Sequence, residues 1–168
     1  VAPMAWAGFF GRLNVAVIEV AGILPDGRLI PTTSVGNNKT WLDIADHVIL
    51  EVNHWQSTGL EGMHDIYYGT RLPPHRQPIM LTAPHDRIGE PYLHCDPEKI
   101  IAIVQTDAHD RNSPFSPPDE NSRLIAQHMI DFFQHEVKAG RLPANLLPLQ
   151  SGVGNIANAV LAGLNESP

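Results

Sequence analysis

A chain of 168 residues, 43% of them apolar and with a formal net charge of −7, holds enough material for one domain core or parts of two. The acidic balance argues against nucleic acid as a partner, because phosphates call for a Lys/Arg-rich face, and no apolar run nears the roughly eighteen residues of a membrane span. The single cysteine, Cys95, excludes an internal disulfide and suits a reducing, cytoplasmic setting.

Val1 to Arg12 reads as an amphipathic or buried helix interrupted by Gly8 and Gly11. Its first ten residues lack a positive leading region, so they make a poor signal peptide. The chain opens on Val rather than Met and ends as abruptly, which suggests a piece of a larger protein. Asn14 to Val20 is a nearly continuous β-branched run, expected for a strand covered on both faces. Pro25-Asp26-Gly27-Arg28 is a turn, in which proline presets φ and glycine accepts a positive φ. A short strand over Leu29 to Thr33 follows, then a helix capped by Asn37 or Asn38 and running through Asp46. His47 to Val52 reads as the next strand.

Asn53 to Arg76 is a long loop with three glycines, of the kind that is usually functional or disordered. Strands are expected at Gln77 to Thr82 and at Lys99 to Gln105. Asp107 to Pro118, with three prolines, reads as a linker. Asp119 then caps a helix to Ala139, with Leu124, Ile125, Met129, Phe132, Phe133 and Val137 at helical spacing. Gly140 ends it and Pro143 prevents its continuation. Alternating strands and helices indicate an α/β architecture.

The most informative stretch is Gln150-Ser-Gly-Val-Gly-Asn-Ile-Ala-Asn-Ala-Val-Leu-Ala-Gly-Leu164. It follows the apolar run Leu146-Leu147-Pro148-Leu149 and precedes a small-residue helix, so strand, glycine turn and helix start meet. The first backbone N–H groups of such a helix have no intrahelical partner and favour negative charge. Gly152 and Gly154 allow a sharp turn and close approach of a ligand. The turn suits a phosphate or an oxyanion. Gly152 to Ala157 also fits the loose dinucleotide fingerprint G-x-G-x-x-G/A, although Pro148 is awkward in the strand that should precede it. A plain glycine turn before a buried Ala-rich helix is the third reading.

Other residue sets carry less. Nine histidines include no H-E-x-x-H pattern, and with one cysteine a metal site is not expected. Ser34, Ser57 and Ser151 lack the G-x-S-x-G context of a nucleophile. Cys95 has no adjacent basic residue to lower its pKa. Glu61-Gly-Met-His-Asp65 places two carboxylates beside a histidine, which is chemically sufficient for acid–base work. A loop held by side-chain bonds to its own backbone explains the same residues better. Arg111, in the linker, is able to bind a carboxylate or phosphate bidentately, or simply to pair with a neighbouring Asp at the surface.

Gln150 to Leu164 closely resembles a segment of the acetyl-CoA hydrolase/transferase family, which includes succinyl-CoA:acetate CoA-transferases. So do Asn14 to Glu19, Pro31-Thr-Thr-Ser-Val-Gly-Asn37, Leu60 to Ile66, Asp86 to Gly89, Cys95-Asp-Pro97, Asp110-Arg111 with Pro114 to Asp119, and His135 to Pro143, in the same order. The resemblance implies the class I CoA-transferase fold, two related α/β domains with the active cleft between them. Residues 1–110 would be part of the N-terminal domain, 111–118 a linker and 119–168 the start of the C-terminal domain. It implies coenzyme A as substrate, with no permanently bound cofactor, and acyl-CoA and a small carboxylate as partners of a homo-oligomeric full-length protein. A glutamate would attack the thioester and carry CoA as a glutamyl thioester. Val153 matches the family's oxyanion-hole position, contributing its backbone N–H; Gln150, Gly152, Gly154, Asn155 and Arg111 would contact substrate. The family's nucleophile follows the small-residue helix in a Tyr-Thr-Glu type motif that this sequence does not contain. Glu166, expected in the loop after that helix, does not match it, so the piece alone is expected to be inactive.

Overall fold

In the computed structural model, which describes residues 1–111 and 117–167, the β-branched run after Asn14 forms β1 (Val15–Ile23). The chain then reverses at the expected turn. Leu24 N–H donates to Arg28 O at 2.8 Å, Gly27 takes φ 84°, and the Asp26 carboxylate accepts from Arg28 N–H at 3.1 Å. Arg28 also pairs with Asp26 through its guanidinium. The return strand β2 (Leu29–Pro31) lies antiparallel to β1. β3 (His47–Asn53) and β4 (Ile100–Thr106) run parallel to β1, giving a four-stranded sheet in the order β2-β1-β3-β4. The mixed α/β class implied by the sequence is the one observed.

One face of this sheet is packed. Ala16, Ile18 and Val20 of β1 and Val48 and Leu50 of β3 point toward Leu29, Leu42, Ala45, Ile66 and Leu93. Burying each large member of this set is worth about 1.5–3 kcal/mol. Leu42 belongs to α2 (Asn38–Ile44), which joins the sheet strands as a crossover. The other face differs from expectation. Val17 is 62% exposed and Val104 46%, so β1 alternates between buried and open positions instead of being covered twice. A β-branched run reports preference for a pleated backbone and does not report how many faces are covered.

Two other elements differ from the sequence reading. The N-terminal helix α1 covers only Ala2–Trp6, because Gly8 takes φ 77° and breaks the run. Gln77 to Thr82 is not a strand. Thr82 gives both its N–H and its hydroxyl to the Asp86 carboxylate, at 2.7 and 2.6 Å, which closes a local turn where a ladder was expected.

The chain divides into two compact units, Val1–Asp110 and Arg111–Pro168. Of the linker expected at 111–118, residues 112–116 lie outside the described residues. In the second unit α3 (Glu120–Lys138) is capped by Asp119, whose carboxylate accepts from Ser122 N–H at 2.7 Å. It packs on α4 (Asn155–Glu166) through Ala126, Ala159 and Val160, flanked by Phe133 and Leu164. The contact face of α3 is the line Ser122, Ala126, Ile130, whereas Leu124, Ile125, Met129 and Phe132 are at least 38% exposed. Small residues win this face because they let the two helices approach closely. A Cβ on Gly163 would run into Ile130. No described helix is long and apolar enough to cross a membrane.

Candidate functional site

The glycine turn opens α4 without a side-chain cap. Gly154 stands at the N-cap with φ 154°, a conformation that side-chain-bearing residues rarely adopt. The first bond across this end is Asn158 N–H to Gly154 O, at 2.9 Å. The amides of Asn155, Ile156 and Ala157 therefore precede any i−4 carbonyl of the helix, and they carry its positive dipole end. The contrast with α3 is informative, since Asp119 already neutralises and satisfies that helix start.

Gln150, Gly152, Val153, Gly154 and Asn155 line one groove of about 740 Å³, together with Leu149 and the α3 residues Met129 and Phe133. The structure thus brings together five of the six expected site residues, the oxyanion-hole candidate Val153 and four of the five expected to contact substrate. Val153 is fully open, and nothing lies within 4 Å of where a Cβ on Gly152 would sit. Gln150 turns its amide onto Ser151 O at 2.9 Å. The strand expected at Leu146 to Leu149 is absent. Leu146 takes φ 53°, Pro148 has no N–H to donate, and the second unit holds no partner strand among the described residues. Glu166 lies in the last turn of α4 and not in a following loop.

Arg111, the sixth residue, is exposed and does not line that groove. It follows a polar network that sequence reading missed, built where β3 and β4 end and joined by Glu19 from within β1. The Glu19 carboxylate accepts from Thr32 Oγ1 at 2.9 Å and Asn53 Nδ2 at 2.6 Å. Asn53 also gives Nδ2 to Ala108 O at 2.7 Å, and its Oδ1 accepts from Ala108 N–H and Trp55 N–H, both at 3.1 Å. Asp110 accepts from Thr33 Oγ1 at 3.0 Å and Gln56 Nε2 at 2.9 Å. Asn53, Thr32 and Gln56 are 1%, 0% and 5% exposed, so their bonds are shielded from water and an unmade one would be costly, whereas the bond from Thr33 to Asp110 is exposed. The signal was present. Asn53 closes β3 and the Asp107–Asp110 segment follows β4, at carboxyl ends of parallel strands, where open α/β sheets place ligands, and Glu19 reaches Asn53 from within β1.

The Glu61–Asp65 loop is a structural clasp. Asp65 accepts from the N–H groups of Ile88 and Gly89, at 3.1 and 2.7 Å, and Arg87 donates to the carbonyls of Gly62 and His64. Glu61 accepts from Tyr92 Oη at 2.8 Å, a bond that raises the Tyr92 pKa. The loop is held to the 87–92 segment rather than to its own backbone. His64 Nε2 meets Thr32 O at 3.0 Å, which steadies the turn bearing Thr32 to Ser34.

The remaining candidates stay quiet. Ser57 accepts from Gly59 N–H and caps a single turn. Burial pushes the Cys95 thiol up, away from the reactive thiolate, and Asp96 adds to that against Lys99. Among the described residues no three His, Cys, Asp or Glu side chains gather as a metal site would require.

Comparison with known proteins places these features. Residues 1–105 match the model of the acetyl-CoA hydrolase/transferase N-terminal domain. Over 93% of the chain the sequence is 48% identical to an acetyl-CoA hydrolase of Schizosaccharomyces pombe, covering 30% of that protein. It is 47% identical to an acetyl-CoA hydrolase of Yarrowia lipolytica, over 95% of the chain and 31% of that protein. A succinyl-CoA:acetate CoA-transferase of Clostridium kluyveri is 46% identical over 93% of the chain and 29% of its own length. The chain thus spans about 30% of the length of the curated relatives it matches. With more than half its residues matched by the family model, the chain belongs to the acetyl-CoA hydrolase/transferase family.

Proposed function

We propose that these 168 residues form one section of an enzyme that moves CoA from an acyl-CoA to a small carboxylate, or that lets water take the acyl group and releases CoA as the free thiol. Coenzyme A is a substrate in this reading, and no permanent cofactor is needed. Residues 1–110 belong to the N-terminal domain, 111–118 link, and 119–168 begin the C-terminal domain of a cytoplasmic homo-oligomer. Val153 N–H, with the free amides at the start of α4, donates to the thioester oxygen as it gains charge. Donors placed in advance cost no reorganisation at the moment of reaction. Gln150, Gly152, Gly154 and Asn155 shape the groove that receives the acyl-CoA, and Arg111 binds carboxylate.

The chemistry follows from the donors. A carboxylate nucleophile adds to the thioester carbon, the tetrahedral oxyanion collapses, and CoA thiolate leaves an acyl–glutamyl anhydride. The thiolate then attacks the glutamyl carbonyl and releases the first carboxylate, leaving a glutamyl-CoA thioester that the second carboxylate reverses. That glutamate lies outside the 168 residues, so the isolated section has donors without a nucleophile and is inactive. The observation that carries this reading is the uncapped, fully open turn at Val153, in a chain whose relatives act on acyl-CoA. Arg111→Ala in the complete protein tests it by depressing exchange with a carboxylate acceptor, and an unchanged rate removes Arg111 from the site. The alternative, a dinucleotide- or phosphate-binding module using Gly152 and Gly154, lacks the preceding strand that its fingerprint needs.

A further inference from the structure

We propose that Asn53, Thr33 and Gln56 are positioning residues for Arg111, acting through a clamp on the Ala108–Asp110 segment; this rests on Arg111 being the carboxylate ligand. Arg111 follows Asp110 directly, so its Cα stays about 3.8 Å from that of Asp110 across the trans peptide. Whatever holds Asp110 therefore sets where the guanidinium starts. Beyond β4 the chain has no strand partner, and side chains hold it instead. Asn53 bonds both the N–H and the C=O of Ala108, as a neighbouring strand would. Two donors from different loops, Thr33 and Gln56, take the two carboxylate oxygens of Asp110. Trp55 lies against His109, with ring centroids 5.0 Å apart.

Glu19 sets the orientation of the clamp. A carboxylate only accepts, so it fixes Nδ2 of Asn53 toward itself and leaves Oδ1 for Ala108 N–H. The same carboxylate holds Thr32, next to Thr33, so one half-buried acid registers both sides of the clamp. Bidentate recognition of a carboxylate needs the guanidinium placed within a fraction of an ångström, and a 1 Å error at a reacting site can cost about a hundredfold. Nothing in this arrangement touches the reacting atoms, which makes these residues positioning and not catalytic.

The test uses the complete protein with acetyl-CoA and succinate. Asp110→Ala and Gln56→Ala should each raise the succinate KM about tenfold and leave the acetyl-CoA KM within twofold, with a melting transition that stays cooperative but shifts down by a few degrees, since each variant breaks the part-buried bond between them. Asp110→Ala combined with Arg111→Ala should be no worse than Arg111→Ala alone. A succinate KM unchanged in both single variants, or losses that multiply in the double variant, would overturn the clamp while leaving the role of Arg111 standing. An Arg111→Ala protein with wild-type kinetics would instead remove the reading beneath it, and the positioning role with it. If the protein exchanges no CoA at all, hydrogen exchange decides the clamp. Faster exchange over residues 107–111 in Asp110→Ala supports it, and unchanged protection overturns it.

Discussion

The oxyanion assignment to Val153 makes an unusual demand, because the group in question is a main-chain N–H that no ordinary substitution removes. Val153 is fully exposed, and its side chain touches nothing whose loss would matter. Val153→Ala in the complete protein should therefore leave stability within about 0.5 kcal/mol and kcat within about twofold. Val153→Pro deletes the N–H itself. The ring has room, since the space around Gly152 is open and Gly152 has no positive φ to lose when the residue before proline is pushed extended. Loss of one oxyanion donor costs about 2.7–4 kcal/mol, or 10²–10³ in kcat. The remaining α4 amides should keep the residual rate above background. The acetyl-CoA KM should barely move, because the lost bond strengthens only as charge develops. The assay is steady-state CoA exchange with a melting curve for each variant. A Val153→Pro protein retaining more than a tenth of kcat, or a Val153→Ala protein falling equally, would refute the assignment.

Three further outcomes follow from the packing and the ionisable groups. A Cβ on Gly163 clashes only with the terminal methyl of Ile130, which can turn aside, so Gly163→Ala should change stability by no more than about 1 kcal/mol, the repacking of Ile130 offsetting roughly 1 kcal/mol of gained helix propensity. Ile130→Val removes the clashing methyl, so urea titration of the double variant should show it more stable than the summed single effects. Bonds from Ser122 hold the Asp119 carboxyl below its ordinary value of 3.8, so this cap stabilises above that value and fades as pH falls through the folded pKa. Asp119→Asn keeps a good cap that does not titrate, and its stability relative to wild type should rise below about pH 4; a pH-independent difference would contradict the linkage. Cys95, with its pKa raised by burial, should be alkylated by iodoacetamide at pH 7 more slowly than a free cysteine.

The sequence located the elements whose signals are local. Asp119 before a long periodic run was enough for α3, and the three parallel strands were found, β3 and β4 within a residue and β1 with its end three residues short, because β-branched runs mark pleated backbone. It misjudged what depends on partners. The buried line of α3 passes through Ser122, Ala126 and Ile130, since α4 offers Ala159 and Gly163 and close approach favours small residues over Leu124 and Phe132. Ile79-Met80-Leu81 looked like a strand, but Asp86 drew Thr82 into a turn. At the site the glycine turn was legible from Gly152 and Gly154, whose backbone requirement is intrinsic. The Glu19–Asn53–Asp110 network was legible only as positions near strand ends and not as a network, because Glu19 on its own reads as one more strand residue and Asn53 and Asp110 as loop residues, and its bonds join positions 34 and 55 apart for Asn53 and 54 apart for Asp110 and Gln56.

The most direct measurement of the central claim gives the complete protein acetyl-CoA together with succinate and follows succinyl-CoA and free thiol over time, with the 168-residue section assayed in parallel. The complete protein should form succinyl-CoA, or release CoA thiol if water serves as acceptor, and the section alone should do neither. A complete protein that leaves every acyl-CoA intact yet binds a nicotinamide dinucleotide would contradict the account, as would a section that turns over by itself and loses that activity with Glu61→Ala or Glu166→Ala.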